Sequence, residues 1–156
     1  MTLMNVAAPQ IVREVIIPAS LDRVWACLLN EAQMKRWLDA DAFEINVYEG
    51  GNIQIPVTFD GCTCVVEGEM ALIVPKKRFE FTWIERNQFG ETWFNNTMVR
   101  IELEARQAET KLILRHDGFK YLPPHIQEEA FQKYQMYWGR DTLFDRLQAI
   151  IMETRP

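Results

Sequence analysis

The chain has 156 residues, 48% hydrophobic and 25% charged, which suits one domain burying roughly 68–70% of the surface its unfolded chain exposes. A net charge of −5 argues against a general nucleic-acid binder, since phosphate affinity needs clustered Lys and Arg and only Lys76, Lys77 and Arg78 cluster, a run after Pro75 that reads most simply as a solvated turn, with a local anionic contact as the alternative. No apolar run approaches the ~20 residues of a membrane helix, and residues 1–10 read as a loose start without the regions of a signal peptide; with three cysteines, an odd number, a reduced cytoplasm is the expected setting.

The first element is a β-rich run over 11–17, stopped by Pro18, which cannot continue a central strand. Ser20 suits a helix N-cap, and Asp22 complements the helix dipole. Leu21, Val24, Trp25, Leu28 and Leu29 then recur at helical spacing. Asn30 caps a second short helix carrying Met34 and Trp37, and the chain passes on through Asp39 and Asp41. Trp25 and Trp37 are expected in the core or in a pocket wall.

Between 43 and 118 the period changes to two. Ile53, Ile55, Val57 and Phe59 alternate with polar neighbours. Cys64, Val66, Met70, Leu72 and Val74 form a second set around Gly68, and Phe79, Phe81 and Trp83 a third. Val99, Ile101 and Leu103 alternate with Arg100, Glu102 and Glu104; Leu112 and Leu114 alternate with Lys111, Ile113 and Arg115. Turn signals at Gly50-Gly51, Asp60-Gly61, Pro75, Asn87 with Gly90, and 107–109 keep the connections short, which favours an antiparallel meander over parallel strands with crossover helices.

Residues 123–152 give the longest helical pattern in the chain. Ile126, Ala130, Tyr137, Phe144 and Ile151 share one face, and Met136, Leu143, Leu147 and Ile150 widen it. Pro123 and Pro124 suit the first turn, where an amide has no partner. Phe131, Tyr134 and Trp138 extend the apolar surface beyond one stripe, as expected of a helix that both covers a sheet and lines a pocket.

These residues resemble a known family. Ile17-Pro18-Ala19, Val24-Trp25, Trp37, Gly50-Gly51, Gly68, Pro75 before the 79–83 strand, Thr110, His116-Asp117-Gly118, Gly139 and Phe144-Asp145-Arg146-Leu147 together look like the Aha1-type domain, named for activation of a heat-shock chaperone's ATPase. The resemblance covers 12–151 and places the chain in the START-like, or SRPBCC, superfamily. One departure is the order Trp138-Gly139-Arg140, where the family has Gly followed by Trp. The fold this implies is α+β: a helix-grip (START-like, Bet v 1-like) domain over 1–156. It has a curved antiparallel sheet of about six to seven strands, two short helices after the first strand, and a long C-terminal helix across the sheet. The resemblance also implies a space between sheet and helix that holds a hydrophobic or amphipathic small molecule, or, as in eukaryotic members, a surface for a chaperone.

Strand parity brings a few polar groups toward that helix. Trp93, Asn95 and Thr97 continue the inward register of Val99, and His116 that of Leu112 and Leu114. Trp37, Phe81, Trp83, Trp93, Phe119, Tyr121, Phe131, Tyr134 and Trp138 would supply apolar walls, and Asn95, Thr97 and His116 the polar contacts of a small-molecule site. Each aromatic has a plain core role beside this one, and His116 that of a hydrogen-bonded strand-end histidine. No nucleophile elbow, zinc helix, phosphate loop or dinucleotide fingerprint is present, so no catalytic residue, metal or cofactor is assigned. Cys62 and Cys64 share a strand face but lack a second pair for zinc. Glu67 and Glu69 read as a solvent-side pair, and His116 and Asp117 point to opposite faces.

Three functions compete. An aromatic content of 12% with five Trp favours a hydrophobic ligand in the sheet–helix space. The family favours a chaperone-interacting stress-response module, and the fold elsewhere hosts cyclase or hydratase enzymes, here with His116 and Asn95 as the polar pair. The chain is expected to be a monomer or homodimer, with Ile113 beside Arg115 as one surface on which subunits would pair.

Overall fold

Strand β1 (Ile11–Ile17) ends at Pro18, and Ser20 opens helix α1 (Leu21–Leu28) by accepting a hydrogen bond from the Arg23 amide at 3.4 Å. Asn30 does the same for α2 (Glu31–Trp37), accepting from the Gln33 amide at 3.1 Å. Six more strands follow: β2 (Glu44–Ile45), β3 (Asn52–Phe59), β4 (Cys62–Val74), β5 (Arg78–Asn87), β6 (Thr97–Arg106) and β7 (Glu109–Asp117). A short 3-10 turn (Phe119–Tyr121) leads to α3 (Pro124–Trp138) and α4 (Asp141–Glu153). This is a computed structural model, and it describes residues 9–38, 44–59, 62–87 and 97–153.

The seven strands form one antiparallel sheet in the order β1-β7-β6-β5-β4-β3-β2. Strand β1 therefore returns to pair with the last strand, Ile17 opposite Thr110 and Ile11 opposite His116. The alternation read from the sequence sets the two faces. Ile53, Ile55, Val57, Phe79, Phe81, Trp83, Val99, Ile101, Leu112 and Leu114 are all buried on the helix side. The outer face carries ion pairs: Arg100 with Asp117 at 2.7 Å, Arg115 with Glu102 at 3.0 Å and Lys111 with Glu14 at 3.3 Å. Burial of one such apolar side chain is worth about 1.5–3 kcal/mol, whereas an exposed ion pair is worth about 0–1 kcal/mol. The inner face therefore holds the fold. Among the described residues no helix is long and apolar enough to cross a membrane.

Three expectations are corrected. In β4 a bulge between Met70 and Leu72 shifts the register, so Ile73 pairs with the buried Phe79 and packs on the core, while Leu72 leaves the inner row. One extra residue reverses every later side chain, a displacement that period-two counting cannot carry through. Ile113, offered as a pairing surface, is itself buried, flanked by the Arg115–Glu102 and Lys111–Glu14 pairs.

The third correction concerns the C-terminal helical stretch, which is long but interrupted at Gly139. Glycine is a poor helix former, and Arg140 completes the stop. Its Nε donates to the Tyr137 carbonyl at 3.0 Å, and its guanidinium lies over the Tyr137 ring at 4.2 Å from the centroid. A cation at a helix C-terminus satisfies a free carbonyl and complements the dipole. The helix therefore stops at the Gly139-Arg140 step. The break also resets the helical wheel: α3 buries Ala130, Tyr134, Tyr137 and Trp138, and Met136, half a turn from that face, is 59% exposed. Helix α4 buries Leu143, Phe144, Leu147, Ile150 and Ile151. Arg23 donates to the Ile151 carbonyl at 2.7 Å, tying α1 to its last turn.

Candidate functional site

Strand β5 sends Phe79, Phe81, Trp83 and Glu85 to the inner face, because residues two apart share a side. Helix α3 lays Tyr134, Tyr137 and Trp138 over them, at the i, i+3, i+4 spacing of one helix face. Trp83 is the hub. Its ring centroid lies 5.5 Å from His116, 5.5 Å from Tyr134, 6.1 Å from Tyr137 and 5.2 Å from Trp138. Phe119 stands 4.7 Å from the His116 ring, and Phe131, partly buried, meets Phe119 edge-on at 5.6 Å.

Inside this shell runs a chain of hydrogen bonds. The Trp138 indole N–H donates to His116 Nδ1 at 2.9 Å. An indole nitrogen can only donate, so His116 carries its proton on Nε2 and donates it to the Thr97 hydroxyl oxygen at 2.7 Å. The hydroxyl then donates to the Trp83 carbonyl at 2.7 Å. Both ring nitrogens are satisfied with the ring neutral. His116 is fully buried, and that burial holds its pKa at about 3, far below the ordinary histidine value. Replacing Thr97 by valine keeps the shape but strands the His116 N–H, and is expected to cost about 2 kcal/mol. Replacement by serine keeps the hydroxyl and is expected to cost less than half as much. Urea unfolding of the two variants checks the difference.

A second polar group lies where the same seam reaches solvent. Glu85 Oε1 accepts from Lys133 Nζ at 2.7 Å and from the Tyr134 hydroxyl at 2.6 Å, and Lys133 Nζ reaches Cys64 Sγ at 3.5 Å. The side chains of Lys133 and Glu85 are 22% and 15% exposed, while Tyr134 and Cys64 are buried. Tyr134 joins the two groups, its hydroxyl on Glu85 and its ring 5.4 Å from His116.

Burial, reinforced by the charge of Glu85, holds the Tyr134 phenol well above its usual range. Burial also raises the Cys64 thiol, with Glu85 adding to it and Lys133 opposing. For Lys133, burial works against the charge, but the hydrogen bond and attraction of Glu85 outweigh it and raise its pKa. At neutral pH the cluster is an ammonium, a phenol and a thiol beside a carboxylate. Its chemistry is hydrogen bonding and charge recognition; neither lysine nor cysteine is set up as a nucleophile.

Of the expected site residues, the structure brings together Phe81, Trp83, Thr97, His116, Phe119, Phe131, Tyr134 and Trp138. Trp37 is buried, its carbonyl accepting from Arg146 of α4 at 3.3 Å, and among the described residues it stands outside the ring cluster around Trp83. Tyr121 is 59% exposed, with Lys120 over its ring, and is not a wall. The 3-10 turn accounts for this, because at three residues per turn Tyr121 lies two-thirds of a turn beyond the buried Phe119. Trp93 and Asn95, like Asp39, Asp41, Asp60-Gly61 and Gly90, lie outside the described residues, and the Cys62 side chain is not among those described. His116 and Asp117 do face opposite ways, Asp117 pairing with Arg100, and Glu67 pairs with Arg86 at 3.2 Å on the solvent side. The sequence reading missed Glu85 and Lys133; it set Cys64 in the inward row of its strand, where the structure has it, but gave it no partner. Counting the Phe81–Trp83 register two residues further would have placed a carboxylate on the apolar face.

Comparison with known proteins bears on this arrangement. Protein MLL2253 from Mesorhizobium loti superimposes with a TM-score of 0.70 at 19% identity, covering 94% of this chain and 99% of that one. A solution structure from Arthrobacter aurescens gives 0.72 at 19%, covering 98% and 94%. SA2116 of Staphylococcus aureus, a protein of unknown function, gives 0.65 at 18%, covering 96% and 98%. At such identities the likeness shows the helix-grip fold alone. No curated protein matches the sequence. The model of the family described as Activator of Hsp90 ATPase homolog 1-like protein matches residues 18–151, nearly the whole chain. The chain belongs to that family.

Proposed function

We propose that the protein binds a small amphipathic molecule at the seam between the inner sheet face and α3, its polar end on the Lys133–Glu85 pair and its apolar body against the neighbouring aromatic rings. One observation carries this reading: a half-buried ion pair stands beside a cluster of buried rings whose own polar groups, Thr97 and His116, are neutral and hydrogen-bonded to each other. Such a pair is a poor device for stability, because desolvation of two charges offsets most of their attraction and apolar residues of equal size serve as well. A site with apolar walls and a few convergent polar groups is the usual form of a small-molecule pocket. The rings around Trp83 already touch one another, which favours the Lys133–Glu85 end over the middle of the ring cluster as the place for a ligand. Family membership supports a binding role without naming what is bound.

Native mass spectrometry of the protein from its own host, before and after denaturation, tests this. A stoichiometric small molecule that leaves on unfolding is the expected result. A clean apo mass, together with no thermal shift from any amphipathic compound tried, would overturn it.

A further inference from the structure

Resting on that reading, we infer that the ligand's polar head is neutral and donates a hydrogen bond, as a primary amide or lactam does, and that Glu85 is the residue that rejects carboxylates. The unused bonding capacity of the pair leads to this. Both donors that reach Glu85, Lys133 Nζ and the Tyr134 hydroxyl, fall on Oε1. Among the described residues Oε2 has no hydrogen-bond partner, so one carboxylate oxygen remains as a bare acceptor. The Lys133 ammonium has three N–H groups. One is given to Glu85 and one points at the Cys64 sulfur.

A spare donor therefore stands beside a spare acceptor, and both residues reach solvent. A carboxamide matches that edge, its N–H on Glu85 Oε2 and its carbonyl on Lys133 Nζ. A carboxylate head gains the lysine but sets its charge against Glu85 in a partly desolvated place, where like charges side by side are costly. An ammonium head meets Lys133 in the same way. The lysine alone would read as an acid-binding group; the glutamate already neutralising it reverses the preference.

The test uses the full chain and two matched probe pairs, naphthylacetamide with naphthylacetate and decanamide with decanoate. Affinities come from calorimetry and from the tryptophan fluorescence of the ring cluster. For the wild type, the amide of each pair is expected to bind at least about tenfold more tightly than the acid. Glu85→Gln keeps an acceptor for Lys133 and Tyr134, replaces the bare acceptor by a donor and leaves the lysine charge uncompensated. In that variant the acid is expected to gain at least about tenfold relative to its amide. Equal or tighter binding of the acid by the wild type, or an unchanged ratio in Glu85→Gln, overturns the inference while leaving ligand binding intact. If none of the four probes binds the wild type, this inference falls, while the ligand-binding reading is decided separately by the native mass and the thermal shifts. The wild-type ranking decides by itself if Glu85→Gln does not fold.

Discussion

Replacing His116 by phenylalanine is expected to remove a steep loss of stability on the acid side and to make the wild-type and variant stability curves cross. In the folded protein the ring titrates at about 3, against 6.5 for the exposed side chain. Between those values the unfolded chain binds a proton that the native state refuses, so each pH unit downward removes about 1.4 kcal/mol of stability. The full loss is on the order of 5 kcal/mol and is complete below the folded value. Above pH 6.5 both states are neutral and the contribution is flat.

Phenylalanine fills a similar ring volume but leaves the Trp138 indole N–H and the Thr97 hydroxyl without their imidazole partner. At neutral pH it should therefore cost about 1–3 kcal/mol. Near pH 4 the wild type has lost about 3 kcal/mol to histidine protonation and its advantage has gone. Urea titrations at several pH values check this, with the wild-type minus variant difference isolating the histidine from carboxylates that titrate in both. Parallel profiles would show that His116 is not held neutral by burial.

The second large effect lies in the Glu85 cluster. Glu85→Leu removes the acceptor shared by Lys133 and Tyr134, leaving a half-buried ammonium beside a thiol and a buried phenol without its carboxylate. The expected cost is about 3 kcal/mol, since breaking a pair from one side strands the other charge. The triple replacement Glu85→Leu, Lys133→Met, Tyr134→Phe removes donors and acceptor together and is expected to return stability to within about 1 kcal/mol of the wild type. Denaturant midpoints of the two variants decide. A triple variant as unstable as the single one would mean that the cluster holds the fold, and the inference of a binding role from it would lose its basis. A triple variant that is stable but no longer binds amphipathic probes would locate the function there.

The antiparallel meander was legible because each strand keeps one face apolar. Ile53 to Val57, Phe79 to Trp83 and Val99 to Leu103 each alternate cleanly, and burial follows that alternation. The caps at Ser20 and Asn30, the stop at Pro18 and the start at Pro124 were equally readable, since each depends on one side chain and its nearest amides. The inward placement of Thr97 and His116 followed from parity alone.

Parity failed at the bulge after Met70, where Ile73 instead of Leu72 packs on the core, and the helical wheel failed at Gly139, where Met136 turns outward. Both methods assume an unbroken repeat, and both breaks depend on local backbone events that leave only a faint mark in residue type.

The sequence by itself determined the order of elements, the two faces of the sheet and the family. These follow from periodicity and short-range bonding, which act between residues close along the chain. Only the tertiary structure decided that Trp138, on the last turn of α3, donates to His116 at the end of β7, and that Lys133 and Tyr134 share one oxygen of Glu85. Those partners lie 22, 48 and 49 positions apart. Nothing local selects a partner at such distances: the pairing is set by how α3 settles across β5 and β7, and that is a property of the packed core as a whole.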